Sequence, residues 1–275
     1  MPHVLDTTPT FEAFARKAFL ESPFLRPQLW DDNYEKHYPE VFEAFHAVAP
    51  STDGRNALVQ DLSRVRKLAA TAAPIMTAII NEMEPTVADI LGVTGSAPPR
   101  HVLLVGSLST SAVVGRLEGE VALFHCLEWF STAEGARVLV AHEDAHALHE
   151  IALGQPAPSD AAWMAFYEGL AIQASKAAVG GRDEEDYFWY GYEGFGEWLP
   201  WCREHHELLR ERFRASIDDS ETSETFFGSG LIEGQWRTGF FLADALVGGL
   251  GLALPDLVAM TPAEGRAAIR DSLGS

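Results

Sequence analysis

A chain of 275 residues can form one large domain or two small ones, and a hydrophobic fraction of 47% is enough for a sizeable core. The formal net charge of −20 argues against a nucleic-acid partner and against an anionic lipid surface, both of which select clusters of Lys and Arg. No segment has the unbroken apolar length of a membrane span, Met1–Asp6 lacks a basic region followed by an apolar run, and two cysteines, Cys126 and Cys202, make no disulfide framework. The expectation is a cytoplasmic protein with reduced thiols and no membrane partner.

Residues 10–95 read as helical. Phe11, Phe14, Ala15, Ala18 and Phe19 recur at helical spacing behind a possible cap at Thr10, until Pro23 and Pro27 break the pattern. Tyr38, Val41, Phe42 and Phe45 mark a second helix. Leu58, Leu62, Val65 and Leu68 form a third stripe, which Ile75, Ile79 and Met83 continue after Pro74. The aromatic residues here are expected in the core.

Ser96–Pro99 predicts a turn. His101–Val105 and Val121–Cys126 predict strands, joined by a Gly-punctuated segment. Ser131-Thr132-Ala133-Glu134 has capping-box spacing and opens a helix that runs to Leu153, where Gly154 and Pro156 end it. Ser159 or Asp160 caps the next helix, which ends at Gly180-Gly181. Residues 182–200 are too aromatic for a disordered linker and too Gly-broken for one regular helix; they either line a cleft or cover the core. A polar helix is expected from Pro200 to Ile217, a polar loop over 218–230, an apolar helix near Trp236–Val247, and a last helix capped by Thr261-Pro262-Ala263-Glu264.

The helix after Ser131 carries the chemistry. His142-Glu143-Asp144-Ala145-His146 is an H-E-x-x-H motif within an apolar run. Two His four residues apart share one helix face, so both imidazoles can reach one metal ion, and Glu143 is placed to act on a metal-bound water. Glu168 is the only acid between Asp160 and Gly180 and has apolar neighbours, where a carboxylate is costly unless paired or bound to a cation. Two His and one carboxylate with a position left for water form the ligand set of a catalytic zinc site. His149 shares the stripe but lies a further turn along; it could be a fourth ligand, and is better read as orienting a ligand or facing solvent. The adjacent pair His205-His206 faces different directions on a helix and makes a poor metal pair.

H-E-x-x-H followed by a second helix bearing Glu168-Gly169-Leu170-Ala171 resembles the gluzincin metallopeptidases. It is most similar to a bacterial family described only as predicted zinc-dependent proteases. The resemblance covers roughly residues 100–250. Gly234-Gln235-Trp236-Arg237-Thr238-Gly239 stands where that family has a late G-Y-x-x-G helix, with Gln235 and Trp236 departing from the pattern. It implies His142, His146 and Glu168 as zinc ligands and Glu143 as the general base. Thermolysin-like gluzincins place an acid four residues after the ligand Glu to orient a ligand His; here that position is Ile172, so another group must do this.

The expected fold is α+β, mainly helical and zincin-like, with a small sheet before the H-E-x-x-H helix. Residues 1–99 would form a helical region packed on a catalytic part, 100–275, as separate domains or one continuous domain. The sheet, from about 100–127, would sit beside two antiparallel helices, 133–153 and 160–179. Zincins commonly run the strand before the metal helix along the substrate backbone, a role that falls to Val121–Cys126. The expected activity is hydrolysis of a peptide or small amide by a zinc-activated water, with Glu143 moving the proton. Tyr190 and Tyr192 are candidates for a second donor to the developing oxyanion, as are the Trp236 indole and Arg237. Two other readings stay open: a zinc hydrolase of a non-peptide amide or acyl bond, and a non-catalytic zinc-binding regulatory or scaffold protein, which the intact Glu143 disfavours. Neither the oligomeric state nor the choice between exo- and endopeptidase follows from the sequence.

Overall fold

The computed structural model describes residues 3–50, 53–95, 97–106 and 108–274. Met1 and Pro2 of the N-terminal segment and Ser96 of the expected turn lie outside the described residues. The protein is α+β, 64% helical with a small mixed sheet. It divides into two compact units, Met1–Glu84 with Ala97–Ala136, and Pro85–Ser96 with Arg137–Ser275.

The first unit holds helices α1 (Thr8–Ala18), α2 (Arg26–Asn33), α3 (Pro39–Val48), α4 (Asp53–Gln60) and most of α5 (Leu62–Ile90). Phe11, Phe14, Trp30, Tyr34 and Phe42 interlock mainly edge to face, with centroid separations of 4.9–6.5 Å. Phe19, expected on the same stripe, is 40% exposed, because it falls just past the end of α1. Helix α1 begins at Thr8, earlier than a cap at Thr10 allows. Thr7 is fixed instead by its hydroxyl, which bonds the Tyr34 hydroxyl (2.8 Å) and donates to the Leu103 carbonyl (2.9 Å). Pro74 does not interrupt α5. It lies on the exposed face, where the lost backbone hydrogen bond is made good by solvent.

The sheet has strand order β1-β2-β4-β3, from β1 (His3–Asp6), β2 (Arg100–Leu104), β3 (Ala112–Leu117) and β4 (Glu120–Cys126). β1 and β4 both run parallel to β2, and β3 runs antiparallel to β4. Two strands escaped the sequence reading. β1 is only four residues long, and β3 is the Gly-punctuated connection itself, with Gly115 where a Cβ would meet the Phe124 ring at 3.0 Å. The position of β4 corrects one expectation. Both of its backbone edges are bonded to neighbouring strands, so Val121–Cys126 has no free edge for a substrate; the open edges belong to β1 and β3.

The second unit comprises the rest of α6 (Ala133–Leu153), then α7 (Ala161–Ala178), α8 (Asp186–Trp189), α9 (Trp198–Glu204), α10 (His206–Ser216), α11 (Thr222–Phe227), α12 (Thr238–Gly249), α13 (Leu254–Val258) and α14 (Pro262–Gly274). A two-stranded hairpin, β5 (Leu231–Ile232) and β6 (Gln235–Trp236), precedes α12. The cap of α6 is Thr132, whose hydroxyl accepts the Gly135 N–H (3.0 Å). Asp160 caps α7 by accepting the Trp163 N–H (3.1 Å) and is gripped by both arms of Arg266. Thr261 and Glu264 form the expected reciprocal box at α14. The single helix expected over 200–217 is two, broken at His205, and the expected loop over 218–230 contains α11. No described helix is long and apolar enough to cross a membrane.

Candidate metal centre

Contacts between α6 and α7 run in opposite directions along the chain: His142 and His146 meet Glu168, while His149 meets Trp163. The two helices are therefore antiparallel. Next to Glu168, Gly169 lets α7 close on α12. A Cβ at Gly169 would lie 2.4 Å from the Ala243 carbonyl oxygen and 2.5 Å from Val247 Cγ2. The glycine of the Glu-Gly-Leu-Ala run is thus a packing requirement one residue from the carboxylate.

His142, His146 and Glu168 converge in the interior and form a group that could hold a metal ion. The Nε2 atoms of the two imidazoles are 3.1 Å apart, and Glu168 Oε2 lies 3.1 Å from His142 Nε2 and 3.3 Å from His146 Nε2. Ligands of a tetrahedral ion with bonds of about 2.0–2.1 Å stand roughly 3.3 Å from one another. The three donor atoms already have that spacing, so the residues fit a metal. His149 is fully buried, which excludes the solvated reading. It is not part of the convergent group; its ring lies among Trp163, Phe166 and Tyr167.

Two of the three donors, His142 and Glu168, are held in the form that ligates a metal. Burial lowers the His142 pKa to about 4, against the opposing pull of Glu168, so its imidazole is neutral and its lone pair available. Burial alone would raise Glu168, but the His146 charge and the bonds from both imidazoles outweigh it and hold the carboxyl well below its ordinary range. His146 is raised, because the Glu168 charge and hydrogen bond overcome its desolvation. Glu143, buried beside this group, is driven by desolvation up to about 7, with His146 and Arg237 pulling against the rise. A carboxyl in that range can both take and return a proton near neutral pH.

No acid stands at position 172 to orient a ligand imidazole, and the Nδ1 atoms of His142 and His146 are buried without a hydrogen-bond partner among the described residues. Aromatic packing holds the rings instead. Tyr167 stacks on His146 at 3.9 Å with planes 23° apart, and its hydroxyl donates to Glu150 (3.3 Å). Tyr190 meets His142 edge-on, with centroids 5.6 Å apart. Sequence reasoning missed Tyr167, although its place next to Glu168 was a signal: on α7 the two flank the same turn of α6.

The other candidates separate. Tyr190 is brought to the cluster. Tyr192 is half-buried two residues on, its backbone N–H donating to the Trp189 carbonyl (2.9 Å). The Trp236 indole N–H is committed to the Gly228 carbonyl (2.6 Å), which removes it as an oxyanion donor. The Arg237 guanidinium lies beside the Tyr190 ring, 5.9 Å from its centroid, and its charge is felt at His142 and Glu143. Residues 182–200 fold over the core rather than forming a free loop: Tyr187, Phe188, Trp189, Tyr190 and Trp198 are all buried, and Trp189 stacks on Phe195. No protein-family model matches the chain, and no curated protein or solved structure matches it.

Proposed function

We propose that the protein is a zincin-like zinc peptidase in which His142, His146 and Glu168 hold the ion and Glu143 is the general base. The observation that carries this reading is the coincidence of a buried three-donor group at 3.1–3.3 Å spacing with a buried carboxyl, Glu143, between the two His on the same helix. When bound, a zinc ion would polarise a carbonyl oxygen and lower the pKa of a water to about 7.

The chain's own residues supply the rest. Glu143 takes the proton from the attacking water as the oxygen–carbon bond forms, and returns it to the amide nitrogen as the carbon–nitrogen bond breaks. Zinc is favoured over a harder cation because two of the three donors are imidazole nitrogens. Three protein donors leave a fourth position for substrate or water, as a catalytic site requires and a closed structural site does not.

A peptide-library assay on zinc-loaded protein, wild type against Glu143→Gln, tests the reading. Cleavage by wild type, with a fall on the order of 10²–10⁴-fold in the variant, is expected. Undiminished cleavage by Glu143→Gln would remove Glu143 from the role.

A further inference from the structure

Tyr190 and Arg237 are two of the five non-glycine residues with a left-handed backbone among the described residues, at φ 53° and 58°. Residues with a Cβ rarely adopt that conformation, and it persists where surrounding structure imposes it, often at functional sites. Here the two strained residues meet each other beside the metal-binding group. The Arg237 guanidinium carbon lies 5.9 Å from the centroid of the Tyr190 ring, and that ring meets His142 edge-on.

Arg237 is held on aromatic surface. Its Cζ is 4.0 Å from the centroid of Phe240, 5.2 Å from Trp189, 5.7 Å from Trp236 and 5.9 Å from Tyr190. The chain carries 40 acidic and 20 basic residues, yet no carboxylate among the described residues forms an ion pair with this half-buried arginine. In the same unit Arg182, Arg203, Arg212, Arg266 and Arg270 are paired with carboxylates, Arg210 donates to the Ser272 carbonyl, and Arg214 is exposed, whereas Arg237 is half-buried. A guanidinium has five N–H donors in a planar fork that matches a carboxylate, and no acidic residue among the described ones pairs with that of Arg237. The acidic clusters 183–186 and 193–197 could serve a free amino terminus, but two of their acids are taken up by arginines. Glu184 pairs with Arg203, Asp186 pairs with Arg182, and Glu193 and Glu197 are exposed.

We propose that Arg237 is a specificity residue that binds a carboxylate of the substrate, foremost the free C-terminal carboxylate, with the rings of Phe240, Trp189, Trp236 and Tyr190 holding the guanidinium. The protein would then be a carboxypeptidase-type exopeptidase. The bond cleaved rests on the zinc-peptidase reading above; recognition of the carboxylate does not require the metal.

Three probes separate these claims: N-acetyl-alanylphenylalanine, its C-terminal amide, and N-acetyl-alanylaspartic acid amidated at the C-terminus, so that only its side chain is acidic. Each is titrated by tryptophan fluorescence, which Trp189 and Trp236 beside Arg237 should report, into metal-free and zinc-loaded protein. Wild type is expected to bind the first probe at least tenfold more tightly than the amide in both states. Arg237→Gln should abolish the preference and Arg237→Lys should retain part of it. A preference for the side-chain acid alone supports the anion site and assigns its source to acidic side chains. Equal binding of all three by wild type, or binding of none, overturns the proposal. That comparison needs only wild type, so it decides even if Arg237→Gln fails to fold. A carboxylate preference without cleavage by the zinc-loaded protein keeps the anion site and removes the peptidase reading; cleavage without preference does the reverse.

Discussion

Tyr167 lies flat on His146, with ring centroids 3.9 Å apart and planes inclined by 23°. In the proposed metal site this contact would stand in for the hydrogen bond that usually orients a ligand imidazole, since His146 Nδ1 is buried without a partner among the described residues. Orientation by stacking follows from the shape of the neighbouring ring rather than from its polarity.

Tyr167→Phe should therefore leave metal affinity within a few-fold of wild type, while Tyr167→Leu should weaken it by about 10-fold or more, the lower range for loss of an orienting partner. Zinc affinity measured against a competing chelator checks this. Equal losses in both variants would show that the hydroxyl bond to Glu150, and not the ring, does the orienting.

Gly169 is where α7 touches the backbone of α12, and the Ala243 carbonyl cannot swing away as a flexible side chain could. Gly169→Ala gains helix propensity but must push the helices apart. A net loss of about 1–3 kcal/mol is expected, read from the urea midpoint at unchanged slope. Because Glu168 is the adjacent residue, zinc affinity should fall with it. An unchanged midpoint would contradict the close approach.

The first unit buries a second imidazole pair. His101 Nδ1 and His125 Nε2 are 3.2 Å apart, with parallel rings. Burial lowers His125 to about 4 and, with the neighbouring His125 charge, holds His101 well below its ordinary value. The unfolded chain binds these protons near pH 6.5 and the folded chain does not, so stability is full above about 6.5 and falls as pH drops toward 4. His125 alone would contribute roughly 3 kcal/mol of that loss. Urea denaturation from pH 7 to pH 4.5 should show the decline, and His125→Leu should flatten it. A slope unchanged in His125→Leu would place the acid sensitivity elsewhere.

Much of the candidate centre was legible in the sequence because helical spacing places His142 and His146 on one face, and because an isolated acid such as Glu168 needs a reason to sit among apolar residues. Asp160 and Thr261 announced their helices through cap chemistry. What could not be read depends on partners distant in the chain. β1 is too short for periodicity to register, and its place in the sheet is set by pairing with Arg100–Leu103. The central position of β4 follows from strand order, which its residues do not encode locally. That Pro74 sits inside α5 without breaking it depends on the exposure of its face, a tertiary property. Arg237 stood among four candidates until the fold committed the Trp236 indole to Gly228 and placed the guanidinium against Tyr190.

The central claim is that His142, His146 and Glu168 hold one zinc ion beside a base that is not itself a ligand. Zinc retained per chain after dialysis against a weak chelator tests it most directly, across wild type, His142→Ala, Glu168→Ala and Glu143→Gln. The account predicts one zinc in wild type and in Glu143→Gln, and loss from both alanine variants, with far-ultraviolet circular dichroism confirming that each is folded. Failure of folded wild type to retain zinc, or its retention by folded His142→Ala and Glu168→Ala alike, would contradict it.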